Sequence, residues 1–372
     1  MNGKSKQIFY HNKQVRINHL SLCNFKNHEA LKINFNADIT CITGNNGAGK
    51  TNILDAIYML STCKSYFNSI DYQLIKHNET ICAINGQFKD EAQYDLQLQI
   101  EAGKKKKLKR NDKQYEKLID HIGLVNAVMI TPVDIDLVQG HSEDRRRFLD
   151  ICLSQFDRVY LNCLSEYNKV LEQRNKQLKL FAQHRHFDEI LLESFNSKLI
   201  PAGNYIFEKR LATLGILNTY FNEFYSSFTS GNEIVKFIYE SDLLHQKFAI
   251  LLKDNVNKDL ALERTSAGIH KDDLVFEING FPLKKFGSQG QSKSFIIAFK
   301  LAQYRFLSET LNAQPILLLD DLFEKIDEER AQQLINLLET DKFGQIIITD
   351  THAARVRKHF ENGLKSINFV EL

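Results

Sequence analysis

Apolar and polar residues alternate between positions 14 and 43. Val15, Ile17 and Leu20 open the pattern, and Leu31, Ile33 and Phe35 continue it. A period of two predicts half-buried strands, and the short apolar run Ile39–Thr43 predicts one more. Between them, Leu22-Cys23-Asn24-Phe25-Lys26-Asn27-His28 reads as a turn carrying basic and polar side chains. Residues 79–100 alternate again, with Tyr94, Leu96, Leu98 and Ile100 on one face, which suits an antiparallel segment. From Asp144 the period changes. Leu153, Phe156, Tyr160, Leu164, Tyr167 and Leu171 recur every three or four residues, which predicts one long amphipathic helix reaching Phe181. A second helical region follows over about 188–228, with an interruption expected at Pro201-Ala202-Gly203. The two would pack as antiparallel helices. Gly268–Leu274 and Gly280-Phe281-Pro282 read as loops around short strands. The α/β pattern then returns. A helix is expected from Ser288-Gln289-Gly290-Gln291 to Leu311, a buried strand over Ile316–Leu319, a helix over Glu328–Glu339 and a buried strand over Ile346–Ile348.

Within this pattern one stretch carries chemistry: Gly44-Asn45-Asn46-Gly47-Ala48-Gly49-Lys50-Thr51, between a strand and a helix beginning Asn52-Ile53-Leu54-Asp55. Strand, glycine-rich loop and helix are the context of a phosphate-binding loop. Glycines let backbone N–H groups converge on phosphates, and the helix start adds positive potential. Lys50 would reach the β- and γ-phosphates, the Thr51 hydroxyl would ligate Mg²⁺, and Asn52 belongs to the same phosphate-facing group. The alternative is a glycine turn that merely contains a lysine; all motif positions are filled and both flanks are of the right type.

Asp320 and Asp321 follow four apolar residues, as carboxylates at the end of a central strand do. Asp320 would hold Mg²⁺, directly or through water, opposite Thr51, and Asp321 would orient or deprotonate the attacking water. A strand cap is the plainer reading of the same pair. Some 270 residues separate Lys50 from Asp320, so N- and C-terminal segments would build one sheet around a helical insertion. Ser288, Gly290 and Gln291 at a helix start add an anion site. If that site cannot reach this chain's own nucleotide, a second copy must supply the γ-phosphate. The result would be a two-fold dimer with nucleotides at its interface.

Composition narrows the setting. The chain has 372 residues, 43% hydrophobic and 25% charged, enough for two or three domains of a soluble protein. No 18-residue apolar stretch or signal peptide is apparent, and six scattered cysteines without a C-x-x-C pair suggest reduced thiols in the cytoplasm. A net charge of +2 implies that any nucleic-acid surface is local. In Lys104-Lys105-Lys106-Lys107-Leu108-Lys109-Arg110, six of seven residues are basic. A solvated hairpin edge and a phosphate-backbone contact explain this run equally well.

Together these motifs resemble the RecF family of DNA replication and repair proteins, related to the SMC and ABC ATPase heads. The likeness covers nearly the whole chain. It includes Leu22, Phe25, Lys26 and Asn27, the phosphate loop, and Pro132–Gly140 followed by Arg145-Arg146-Arg147-Phe148-Leu149-Asp150. It continues through Tyr167, Leu171, Gln173, Arg174, Asn175 and Leu178, then Gly268, His270, Asp272, Asp273 and Leu274. Ser288, Gly290 and Gln291 match the ABC signature, Asp320-Asp321 the Walker B pair, and Asp327 the D-loop. The resemblance implies an α/β ATPase head of ABC/SMC type, made from segments 1–145 and 261–372, with a mainly helical lobe over 146–260. It also implies ATP and Mg²⁺ as cofactors, an ATP-dependent homodimer with slow hydrolysis, and binding at gapped DNA or single-strand/double-strand junctions. RecR and RecO would be partners in placing RecA on single-stranded DNA, with no membrane involved. Gln139 lies in a Gln-Gly context where related heads sense Mg²⁺, although the family often has lysine there. Asp350 and His352 are the alternatives for the switch residue after the last strand. Ile269 and Lys271 depart from the family's usual proline and arginine, and Glu324-Lys325-Ile326 from its usual residues before Asp327. A transporter ATPase, the ATPase part of a nuclease, and a structural DNA-binding dimer without turnover are the rival classes.

Overall fold

The structure, a computed structural model, describes residues 13–229, 233–323, 326–340, 342–360 and 363–372. It divides into two compact units, Met1–Met129 with Leu307–Glu324 and Leu334–Leu372, and Ile130–Phe306 with Lys325–Gln333.

The first unit joins the two ends of the chain in a five-stranded sheet. Its strands lie in the order Ile367–Glu371, Ile39–Thr43, Ile346–Asp350, Ile316–Leu319 and Ala127–Ile130. The strand Ile39–Thr43 pairs in parallel with both Ile346–Asp350 and Ile367–Glu371, and Ile316–Leu319 pairs in parallel with Ile346–Asp350. Every residue of these three central strands is buried, which is why their sequences are mainly apolar and do not alternate with exposed positions. The register sets Asp350 beside Thr43 and Leu319 beside Ile348, so the chain leaves adjacent strands with Asp320 close to Thr349.

The alternating segments form a separate antiparallel sheet of six strands. Tyr94, Leu96, Leu98 and Ile100 are buried as the alternation requires. The turn after the first long strand is shorter than its sequence suggests. Arg16–Phe25 stays extended because Leu22 and Phe25 are buried, and only Lys26-Asn27 turn before the strand His28–Asn34.

The second unit is led by helices Ser142–Ser154, Arg158–His184 and Glu189–Phe228. The single helix expected from Leu153 to Phe181 is therefore two. Asp157 ends the run by accepting a hydrogen bond from Tyr160 N at 2.8 Å, the N-cap of the second helix. Leu153 and Tyr160 still share one core, so the apolar period crosses the break unaltered. The interruption expected at Pro201 does not occur. A proline inside a helix costs roughly 3 kcal/mol, but burial of Leu199 and Ile206 beside it returns about 1.5–3 kcal/mol each. The last two helices are antiparallel: Arg174 reaches Asn196, whereas Tyr160 meets Arg210.

A three-stranded antiparallel sheet, Val235–Glu240, Asp273–Ile278 and Phe281–Pro282, completes this unit with the helix Gln289–Leu311. Phe295 and Phe299 of that helix pack on Phe221 and Phe276, fixing its position. The full-length pairing of Asp273–Ile278 with Val235–Glu240 keeps residues 261–306 with the helices, so the compact units part at 129/130 and 306/307, and again around 325–333. The breaks read from sequence stood at 145/146 and 260/261. Among the described residues, no helix is long and apolar enough to cross a membrane. All six cysteines are free, and burial pushes the thiols of Cys41, Cys63, Cys82 and Cys152 up to about 12.

Candidate nucleotide-binding site

The phosphate loop joins the strand Ile39–Thr43 to the helix Lys50–Thr62. Gly47 and Gly49 both adopt left-handed backbone angles, φ 85° and 96°, which L side chains rarely tolerate. At Gly49 there is a second reason for glycine. A Cβ would lie 2.4 Å from His28 Nε2 and 2.6 Å from Asn27 Nδ2. The Lys26-Asn27 turn thus grips the loop from outside. His28 Nε2 lies 3.1 Å from Gly49 O, Asn27 Nδ2 donates to Gly47 O at 3.3 Å, and Asn52 Nδ2 donates to Asn27 Oδ1 at 2.7 Å. Beneath the turn, Lys26 Nζ pairs with the fully buried Asp55 at 2.7 Å, and Asp55 also accepts from Ser65 Oγ and Tyr66 N. Lys50 is buried and its ammonium donates to Gly44 O at 2.9 Å and Asn45 O at 3.1 Å, arching back over the loop, while Ala48 N donates to Asn45 O at 3.1 Å. A cavity of about 620 Å³ beside the turn is lined by Lys26, Asn27, Tyr72, Gln73 and Lys76, among others.

Thr51 and Asp320, 269 residues apart in sequence, meet. Thr51 Oγ1 lies 2.9 Å and 3.1 Å from the two carboxylate oxygens of Asp320 as donor. Thr349 Oγ1 donates to Asp320 Oδ1 at 2.8 Å and accepts from Asp321 N at 3.0 Å. Burial pushes the Asp320 carboxyl above its usual value and the neighbouring Asp321 adds to this, while the two hydroxyls and the Lys50 charge oppose it. A hard divalent cation with oxygen ligands fits this pair, since it would offset the burial of Asp320. Among the described residues no cluster of three His, Cys, Asp or Glu side chains could hold a metal. Asp321 adopts a left-handed backbone, φ 42°, which aspartate tolerates better than most residues.

Asp350 and His352 differ in setting. Asp350 is fully buried and its Oδ1 accepts from His352 N at 2.8 Å, whereas the His352 side chain is exposed.

In the second unit, Ser288 caps the helix Gln289–Leu311 with Gln291. Ser288 Oγ accepts from Gln291 N at 3.1 Å and Gln291 Oε1 accepts from Ser288 N at 2.7 Å, a capping box. Gly290 is packed by Arg330, whose Nη1 would lie 2.7 Å from a Cβ there, and Arg330 pairs with Asp327 at 3.3 Å. Asp327 thereby joins the Ser288 group. Gln139 ends the short helix Asp136–Gln139 with its side chain exposed. Glu324 and Lys325 lie outside the described residues.

The basic clusters separate cleanly. Arg145 clamps Asp273 with two bonds, 2.6 Å and 3.0 Å, and Arg146 donates to Asp272 O at 2.6 Å, so both are spent inside the second unit. The lysine run enters a hairpin, Lys107–Arg110 with Lys113–Gln114, at one side of the six-stranded sheet. Lys106 pairs with Asp71 at 2.8 Å, Lys104 with Glu101 at 2.6 Å, and the Arg110 guanidinium lies 4.7 Å from the Tyr94 ring centre. Lys104, Lys105 and Lys107 are exposed, and Lys109 is half-buried.

Residues 16–369 match the family model described as the RecF/RecN/SMC N terminal domain. The chain is 46% identical to the DNA replication and repair protein RecF of Flavobacterium johnsoniae over 92% of its own length and 95% of the relative's. To the protein of that name from Phocaeicola vulgatus it is 40% identical, covering 94% and 93%. The chain belongs to the RecF family. A solved structure of the recombination mediator protein RecF with ATP superposes with a TM-score of 0.85 at 28% identity, over 94% of this chain and 95% of that one. The Smc head domain from Pyrococcus furiosus, at 17% identity and a TM-score of 0.55 over 96% and 94%, shares the fold. The architecture is thus the ABC/SMC-type ATPase head with N- and C-terminal segments and an inserted helical lobe. Membership of the RecF family supports ATP binding and hydrolysis. Two residues that tie the site together, Thr349 and Asp55, carry no motif of their own. Asp55 leaves a trace as one acid within the apolar helix face, while Thr349 is marked only by strand register.

Proposed function

We propose that this chain binds ATP with Mg²⁺ at Gly44–Thr51 and Asp320, hydrolyses it slowly, and uses the bound state to form a two-fold homodimer on DNA. The observation that carries the reading is the hydrogen bonding of Thr51 to Asp320, which brings the lysine-bearing loop and the acidic strand end into one place. The cofactor would supply the phosphoanhydride bond and the charge that recruits the metal. The chain's own residues do the rest. Gly47 and Gly49 open the loop for backbone N–H donors, Lys50 exchanges its carbonyl partners for phosphate oxygens, and Thr51 with Asp320 offers oxygen ligands. Asp321 would hold the attacking water, Gln139 would approach the same metal, and His352 is better exposed than Asp350 to follow the γ-phosphate. Ser288, Gly290, Gln291 and Asp327 would serve the nucleotide of a second copy. By family likeness the dimer would favour gapped DNA and single-strand/double-strand junctions and work with RecR and RecO in loading RecA.

Nucleotide titration and sedimentation with ATP, with ADP and without nucleotide test this directly. Lys50→Ala should fold, lose at least tenfold in ATP affinity and stay monomeric. Unchanged affinity would remove the loop from the reading. Asp321→Asn should bind ATP and accumulate as a dimer while losing most turnover; wild-type turnover would dismiss Asp321.

A further inference from the structure

Exposed apolar side chains gather around the start of the helix Gln289–Leu311. Phe281 is 56% and Phe286 64% exposed, yet their rings pack on each other with centroids 5.2 Å apart. Ile234, 75% exposed, lies across the middle strand: the register aligns Val235, Ile278 and Phe281 on one face, so Ile234 faces the other. Its N–H donates to Asn279 Oδ1 at 2.9 Å and its carbonyl accepts from Asn279 N at 2.7 Å. The aromatic pair is held in place. Leu283 between the rings is buried, and Gly287 packs so close to it that a Cβ would lie 2.5 Å from Leu283 Cδ1. Lys284 Nζ donates to Gly140 O at 3.2 Å, tying down the same turn. Rigid, clustered aromatics facing water mark a surface that another molecule covers.

The cluster shares a scaffold with the helix start. Glu233, next to Ile234, accepts from Gln291 Nε2 at 2.7 Å and from Tyr225 OH, while Gly287 leads straight into Ser288. We infer that Phe281 and Phe286 form the apolar rim of the nucleotide-dependent interface with a second copy of this chain, seated around Ser288–Gln291. The inference rests on the proposed reading that Ser288 faces the second copy's nucleotide. Charge favours this occupant. The rim carries Lys284 and Lys285, and the face it would meet carries the nucleotide's phosphates beside Asp321. The rings would supply the desolvated centre that polar groups at the helix start cannot.

The test uses the full chain with Phe281→Ser and Phe286→Ser, singly and together, in sedimentation with ATP, nucleotide titration and duplex binding. The double variant should keep its ATP affinity and melting temperature, while its dimer dissociation constant rises at least tenfold. Should that variant not fold, Phe286→Ser alone repeats the test, with a smaller rise of about threefold expected. Wild-type dimerisation by a folded variant overturns the inference. So does unchanged dimerisation with weakened duplex binding, which would assign the rim to nucleic acid. If the wild-type chain fails to dimerise with ATP, the composite-site reading itself falls, and the inference with it.

Discussion

Thr349 does two jobs with one hydroxyl, donating to Asp320 and accepting from Asp321 N. Valine has nearly the same shape and can do neither, so Thr349→Val isolates the hydrogen bonds from the packing. Losing one bond to a carboxylate and stranding one buried N–H costs about 1–3 kcal/mol. That predicts a roughly five- to hundredfold loss of Mg²⁺-dependent nucleotide affinity, with Thr349→Ser close to wild type. Titration of nucleotide at several Mg²⁺ concentrations decides it, and a wild-type response from the valine variant would remove Thr349 from the site. His270 offers a pH test. It lies between Tyr167 OH at 2.8 Å and Thr265 O at 3.1 Å, and burial pushes it down from 6.5 to about 4. The unfolded chain therefore takes up a proton that the folded chain refuses, so stability falls as pH drops from about 6.5 towards 4. The full effect is at most ~3 kcal/mol. Burial raises the neighbouring Asp272, which titrates with the opposite sign, so the comparison must be between wild type and His270→Gln. Melting at pH 7.5 and pH 5 should show a shallower loss in the variant; equal slopes would refute the assignment.

At the scale of elements, legibility follows how local the cause is. The phosphate loop and its flanking strand and helix are determined within about fifteen residues, and Asp320 is marked by the apolar strand before it. The break at Asp157 and the continuity through Pro201 depend on packing from elsewhere, where a local rule gives the wrong sign. Gly203 shows this in one residue. Within a helix, alanine is better than glycine by about 1 kcal/mol. Here a Cβ would lie 2.6 Å from Phe248 Cε1 and 3.2 Å from Tyr167 Cε2, both on fully packed rings. Overpacking of that kind costs about 1–3 kcal/mol, so Gly203→Ala should destabilise despite its better propensity. A melting temperature at or above wild type would show that Phe248 yields.

Across the whole molecule, charge is nearly balanced, with 48 Lys and Arg against 46 Asp and Glu. Sequence alone leaves the lysine run open between a hairpin edge and a phosphate contact. It leaves Arg145, Arg146 and Arg147 between a structural and a DNA-contacting role, because ion pairing across distant segments is invisible in it. The structure removes Arg145 and Arg146, which are fixed to the 272–273 segment. It also takes Lys106, held by Asp71 with only 14% of its side chain exposed. Lys105 and Lys107 remain outward, with Lys104 in an exposed pair with Glu101 that phosphate could replace at little cost. Changing Lys104, Lys105 and Lys107 together to glutamine keeps the Lys106–Asp71 tie and the hairpin. If all three meet phosphates, the slope of log affinity against log salt should shrink by up to about 3, at about 0.9 for each phosphate lost. The loss should be equal on unrelated duplexes, since backbone contacts carry no sequence information. ATP affinity should hold, because none of the hydrogen bonds that shape the phosphate loop comes from this run. Fluorescence anisotropy over a salt series on two duplexes reads both quantities. Wild-type affinity and slope would leave the run as a solvated hairpin that guards the sheet's margin, and would move the search for the duplex contact to another face of the molecule.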